Sequence, residues 1–261
     1  MTGRLTDRVV LVTGAGGIST AGARRFVDEG AAVFVVSNDA ADCERLAGEV
    51  GDGVEWAVAD LRDETEAAVA VARCRDRYGR IDGLFAVVGG SGRRFGDGPV
   101  HDLPLEGWRE TFVMNAEPMF LAVRAVVRAM LDVGEGGSIV IVTSVLAEHP
   151  SPRYFETHAY AAAKGAARSF VRAAAASYAP ARIRVNAVAP GLVATPMSRR
   201  AAEDPEIVAY LGAKQPLAGG MLPPEAVASA ACFLLSDDAR FVTGQVLSVD
   251  GGWSVAEPGE R

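Results

Sequence analysis

With 261 residues, 49% hydrophobic and 7% aromatic, the chain can bury one sizeable core, and no Pro/Gly/Ser-rich linker or charged run divides it. A net charge of −7, with 26 Lys and Arg scattered among 33 acids, points away from nucleic acid. No apolar leader opens the chain, no apolar run could span a bilayer, and Cys43, Cys74 and Cys232 have neither CxxC spacing nor clustered histidines. The expectation is one cytoplasmic domain over residues 1–261, with no membrane partner, disulfide or metal.

In chain order, strand-length apolar runs fall at Arg8 to Val12, Ala32 to Val36, Val54 to Ala59, Leu84 to Val88, Ser138 to Thr143, Arg182 to Val188 and Gln245 to Val249. Between them, helical spacing covers about 20–29, 40–50, 63–78, 104–133, 158–179 and 224–235. Such alternation predicts an α/β protein: a Rossmann-type, doubly wound, seven-stranded and mainly parallel sheet with helices on both faces. Residues 195–224 are less periodic and rich in Met, Pro and Gly, which suits a mobile lid, and a flexible tail is expected over 254–261.

The first strand runs into Thr13-Gly14-Ala15-Gly16-Gly17-Ile18 and then a helix. In a doubly wound sheet this turn lies at the strand's carboxyl end, where Gly14, Gly16, Gly17 and Ile18 can bring backbone amides to a pyrophosphate. At the end of the second strand, Ser37-Asn38-Asp39 carries no Lys or Arg to pair a 2′-phosphate, and none lies among the glycines. That leans the cofactor to NAD, with NADP left open. Asp39 can equally cap the next helix.

Tyr160 and Lys164 stand four residues apart at the start of an Ala-rich helix, hence on one face. Tyr210 and Lys214, the only other such pair, have the same spacing in the less periodic region, so context and not spacing distinguishes Tyr160. A phenol with pKa about 10 is a poor base, and a nearby ammonium shifts it toward phenolate. Ser144, at the end of the fifth strand, can hydrogen-bond a substrate oxygen. Asn115 sits inside a long helical pattern where Asn is a mediocre helix former.

The glycine turn, with Asn115, Ser144, Tyr160 and Lys164 in that order, resembles the classical short-chain dehydrogenases/reductases over about residues 5–253. The resemblance implies an NAD(P)-dependent enzyme that transfers a hydride between a nicotinamide and a small-molecule alcohol or carbonyl, with Tyr160 as general acid/base. It implies that Asn115 kinks its helix and holds a relay water, that Asp60-Leu61 holds adenine, and that Val88-Gly89, Pro190-Gly191, Val193 and Thr195 lie along the nicotinamide with Tyr160 and Lys164. It implies a homotetramer. The chain departs from the family in three places: the turn is one residue short, Ser19 replaces its last glycine, and Val87-Val88-Gly89-Gly90 stands where the family has Asn-Asn-Ala-Gly.

These departures motivate a second reading, a catalytically weak cofactor-sensing or interaction protein. Between Ser144 and Tyr160 the extra length places His149, Tyr154 and His158 beside the expected pocket, as substrate contacts or exposed loop residues. The lid offers Met197, Leu211, Leu217, Met221 and Leu222 for an apolar substrate, and Arg199 and Arg200 for an anion.

Overall fold

Alternate residues of each buried strand face opposite layers, so a strand covered on both sides is apolar throughout. The computed structural model, which describes residues 3–257, shows this in β1 (Val9–Thr13). Val9 and Leu11 pack into one hydrophobic cluster, Val10 and Val12 into the other. The remaining strands are β2 (Ala32–Ser37), β3 (Val54–Val58), β4 (Gly83–Ala86), β5 (Gly137–Val142), β6 (Ile183–Pro190) and β7 (Val246–Val249). They form one sheet in the order β3-β2-β1-β4-β5-β6-β7, and every pairing is parallel. The order reverses between β1 and β4, so a crevice opens there at the carboxyl ends of the strands.

The helices α1 (Gly17–Asp28), α2 (Ala40–Val50), α3 (Glu64–Tyr78), α4 (Leu105–Asn115), α5 (Glu117–Val133), α6 (Pro152–Phe155), α7 (His158–Tyr178), α8 (Arg199–Ala202), α9 (Pro205–Lys214) and α10 (Pro224–Leu235) cover the sheet and its crevice. Phe26 of α1 and Val227 and Ala231 of α10 fill the layer of Val10 and Val12; Val71, Val126 and Val171, of α3, α5 and α7, fill the other.

Two expectations are corrected. The single helix over 104–133 is two helices, because the Asn115 amide turns back to the carbonyl of Thr111 at 2.9 Å and Pro118 enters the next turn without an N–H. The region 195–224 contains α8 and α9; Asp204 caps α9 by accepting from the amides of Glu206 and Ile207, with Pro205 at its first turn. In the expected tail, the Ser254 amide donates to Asp250 and the carbonyl of Ala256 accepts from Lys214 at 2.8 Å, while 258–261 lie outside the described residues.

Candidate active site

A cavity of about 500 Å³ occupies the crevice. One end is the glycine turn, where Gly16 is the N-cap of α1 and provides no capping side chain, so the first amides of the helix face the cavity unpaired by a cap. Gly17 (φ +40°) is required by closeness: a Cβ there would lie 2.6 Å from the Thr195 methyl. Ser19 does not obstruct the approach. It is buried, and its hydroxyl donates to the Thr13 carbonyl at 3.0 Å. Gly14 stands behind the turn, its amide donating to Val36 at 2.7 Å.

The segment after β4 makes up for its missing asparagines with bonds from elsewhere. The Val87 amide donates to the Thr13 hydroxyl at 2.9 Å, and buried Asn115 both accepts from the Gly90 amide (3.2 Å) and donates to its carbonyl (3.1 Å). A Cβ on Gly89 would fall 2.0 Å from Asn115 Oδ1, so glycine there is what admits the amide. Val88 and Gly89 line the cavity; Asn115 supports them from behind.

Ser144, Tyr160 and Lys164 converge at the centre. Ser144 and Tyr160 face the same part of the cavity, and the nearby Ser144 hydroxyl acts to lower the Tyr160 phenol's pKa. Lys164 Nζ donates to the carbonyls of Val88 (2.9 Å) and Val142 (3.1 Å) and lies 5.8 Å from the Tyr160 ring centre, with a third N–H to spare. Burial lowers the Lys164 ammonium to about 8. Burial also raises the Tyr160 phenol, outweighing the lowering influence of Ser144. The expected lowering of the phenol by Lys164 is therefore corrected for the chain by itself: desolvation dominates. The duplicate pair does lie on a helix, α9, but Tyr210 bonds Ser151 (2.7 Å) and Lys214 bonds Ala256, both away from the cavity.

Pro190, Gly191, Val193 and Thr195 line the cavity beyond β6, held by buried Gln215, which accepts from the Leu192 amide at 2.6 Å and donates to Gly220 at 2.6 Å. Of the lid residues, Met197 and Arg200 line the cavity, whereas Leu211 is buried in a separate cluster, Leu217 faces solvent and Arg199 points elsewhere. His149, Tyr154 and His158 do not line it; Phe155, Thr157 and the buried Trp253 do. Ser37, Asn38, Asp60 and Leu61 lie outside its lining, at the ends of β2 and β3, and Asp60 is paired with Arg62 at 2.6 Å, which holds its carboxyl below the usual range. Asp39 caps α2 and Asp63 caps α3. Sequence reasoning missed Arg45, which reaches from α2 to the Ala15 carbonyl (3.0 Å) while paired with Asp42 (2.8 Å) and Glu49 (3.2 Å).

A doubly wound parallel sheet with amides free at the first helix and a Ser-Tyr-Lys cluster in the same cleft defines a nucleotide-dependent oxidoreductase. The chain belongs to the short-chain dehydrogenase/reductase family. The family profile described as Enoyl-(Acyl carrier protein) reductase matches residues 13–254. The chain is 37% identical to Short-chain dehydrogenase reductase 3a of Arabidopsis thaliana, with 98% of each chain covered. It is 36% identical to the Cis-4-hydroxycyclohexanecarboxylate dehydrogenase of Sinomonas cyclohexanicum, over 95% of this chain and 97% of that one. The structure of a 3-ketoacyl-(acyl-carrier-protein) reductase from Brucella melitensis complexed with NADH superposes with a TM-score of 0.85 at 30% identity, covering 96% of this chain and 100% of that one. The chain is thus an NAD(P)-dependent alcohol dehydrogenase/ketoreductase, and the reading as a sensing or interaction protein has no support.

The helix carrying Tyr160 is capped from a distance. Thr157, its N-cap, makes no capping bond through its side chain; the buried Asp97 accepts instead from the amides of Ala159 and Tyr160, both at 2.9 Å. This carboxylate meets the positive end of α7 and sets the height at which Tyr160 enters the cavity. Replacing Asp97 by Ala is expected to cost about 1–2 kcal/mol in urea unfolding, with Asp97→Asn recovering part of it. A loss near zero for the Ala variant would show that the cap is idle.

Proposed function

We propose that the chain acts as one dehydrogenase domain on an alcohol or ketone with NAD, Tyr160 serving as general acid and base. The convergence of Ser144, Tyr160 and Lys164 in the cavity carries this reading. The amides of Gly16, Gly17 and Ile18 would hold the pyrophosphate, with Gly14 shaping the turn from behind. Ser37, Asn38, Asp60 and Leu61 would hold the adenosine, and Val88, Gly89, Pro190, Gly191, Val193 and Thr195 the nicotinamide. When bound, the nicotinamide supplies or accepts the hydride. Ser144 orients the substrate oxygen, and Tyr160 gives it a proton in reduction or removes one in oxidation. Lys164, fixed by two strand-end carbonyls, presents its remaining N–H and its charge to the same centre. Asn115, at the break between α4 and α5, would hold the relay water through which Lys164 would exchange protons.

The adenosine corner supports NAD. Three acids, Asp39, Asp42 and Glu49, stand there against two cations: Arg45 is committed to Asp42, Glu49 and Ala15, and Arg24 pairs with Glu49 at 3.6 Å. A 2′-phosphate would meet net negative charge. Exposed Leu105, Trp108 and Phe120 on α4 and α5 support the homotetramer, and the three buried, unpaired cysteines support a reducing cytoplasm. No helix of the described residues is long and apolar enough to cross a membrane.

Three outcomes test the proposal. Tyr160→Phe should abolish hydride transfer while NADH binding by calorimetry persists; turnover retained by that variant overturns the assignment. Carbonyl reduction needs Tyr160 protonated, which its raised pKa secures, and Lys164 charged, which fails as pH rises through about 8. Hence kcat/KM for reduction should be level below that pH and fall above it, and a profile flat to strongly alkaline pH contradicts the role given to Lys164. Finally, kcat/KM should favour NADH over NADPH by about tenfold or more, a gap of about 1.4 kcal/mol. Equal use of both would refute the reading of the adenosine corner.

A further inference from the structure

Five charged side chains line the cavity: Asp42, Arg45, Arg93, Lys164 and Arg200. The one acid, Asp42, is paired with Arg45 at the adenosine end. Arg93, in the turn Gly92–Phe95 after β4, and Arg200, on α8, come from segments more than a hundred residues apart, yet each donates to the same oxygen, the carbonyl of Tyr154, at 3.0 and 3.2 Å. Neither is within ion-pairing distance of a carboxylate among the described residues. Asp97 and Glu156 act on Arg93 through charge alone, Asp97 the more strongly, while the hydrogen bonds of the Asp97 carboxylate go to the amides of α7. Burial and the charge of Arg200 lower the Arg93 pKa, although both side chains keep much of their surface open at the cavity mouth.

One carbonyl oxygen cannot neutralise two guanidiniums. Each has five N–H donors and uses one here, so donors remain on both for a second acceptor, and an anion would relieve the repulsion as a neutral group could not. Phe155, Leu146 and Trp253 line the same part of the cavity with apolar surface.

Building on the function proposed above, we infer that Arg93 and Arg200 form an anion clamp, and that the substrate is a hydroxy or keto compound bearing an anionic group, with an apolar body between that group and the reacting carbon. The anion is a terminal carboxylate or the phosphate of a thioester carrier.

Calorimetry on the NADH-loaded enzyme with the isosteric pair benzoate and benzamide tests the clamp apart from turnover. Benzoate should bind about tenfold or more tightly than benzamide, and Arg93→Ala and Arg200→Ala should each cut that ratio several-fold, with Arg200→Lys restoring part of it. Equal affinities, no binding of either probe, or a ratio indifferent to both substitutions overturns the proposal. Kinetics with 4-oxopentanoate and acetoacetyl-coenzyme A separate the sources: a loss in the alanine variants confined to the keto acid assigns a carboxylate, a loss on the thioester assigns a carrier phosphate, and a loss on neither counts against the clamp. Tyr160→Phe should lose turnover and keep the benzoate preference, so the clamp and the proton chemistry fail separately.

Discussion

A buried ammonium is costly unless its hydrogens are taken, and the placement of Lys164 follows from how they are. Two go to main-chain carbonyls at the carboxyl ends of β4 and β5, neighbours at the centre of the sheet. Those carbonyls are available because the pairing of β4 with β5 ends at Ala86 and Ile141, and a ladder that continued would spend them. The bonds tie α7 to the sheet at one height, and Tyr160, one helical turn earlier, is placed by the same attachment. Asp97 acts on that helix from the other end. The residue whose ammonium stands beside Tyr160 therefore also gives it its position.

The same economy explains how the chain tolerates departures from its family's pattern. Asparagines after β4 would carry hydrogen bonds in their side chains; here Val87 and Gly90 make the bonds through main chain, to Thr13 and Asn115. Glycine at 89 is what lets the Asn115 amide come so close. At the glycine turn, Ser19 points inward to the Thr13 carbonyl, so the shortened loop keeps its amides free. In both places a lost interaction is replaced by one of the same kind from a different atom, and the outline of the cavity is kept.

Features carried by local pattern were legible from the sequence. All seven strands lie within a few residues of the apolar runs; the central β1 and β4 are buried on both faces and apolar but for Thr13, whereas the edge strands β3 and β7 are only partly covered. Hydrophobic spacing runs straight through the break at Asn115, which only the family resemblance pointed to; in the fold, the amide's turn back to Thr111 and the proline after it make the gap. Asp97 and Arg45 were missed because their partners are distant in sequence or belong to the backbone, and nothing local marks them. The twin pair Tyr210 and Lys214 shows the converse. It has the right spacing, and even the right secondary structure, but its partners are Ser151 and Ala256, so it braces the chain near its end.

Charge is distributed along the cleft in a way that composition hides. The protein as a whole is acidic, yet four of the five charged residues lining the cavity are cations. At one end a guanidinium is paired in place with carboxylates on its own helix, the arrangement on which the proposed preference for NAD rests. At the centre a single ammonium is held by carbonyl dipoles that keep its charge local. At the mouth two guanidiniums share one carbonyl and have donors left over. A low-dielectric cleft focuses such a gradient, so an anionic molecule is drawn to the mouth although the surface outside repels it. Such a field orients a substrate before any side chain touches the reacting carbon, with its charged end outermost and its oxygen toward Ser144 and Tyr160.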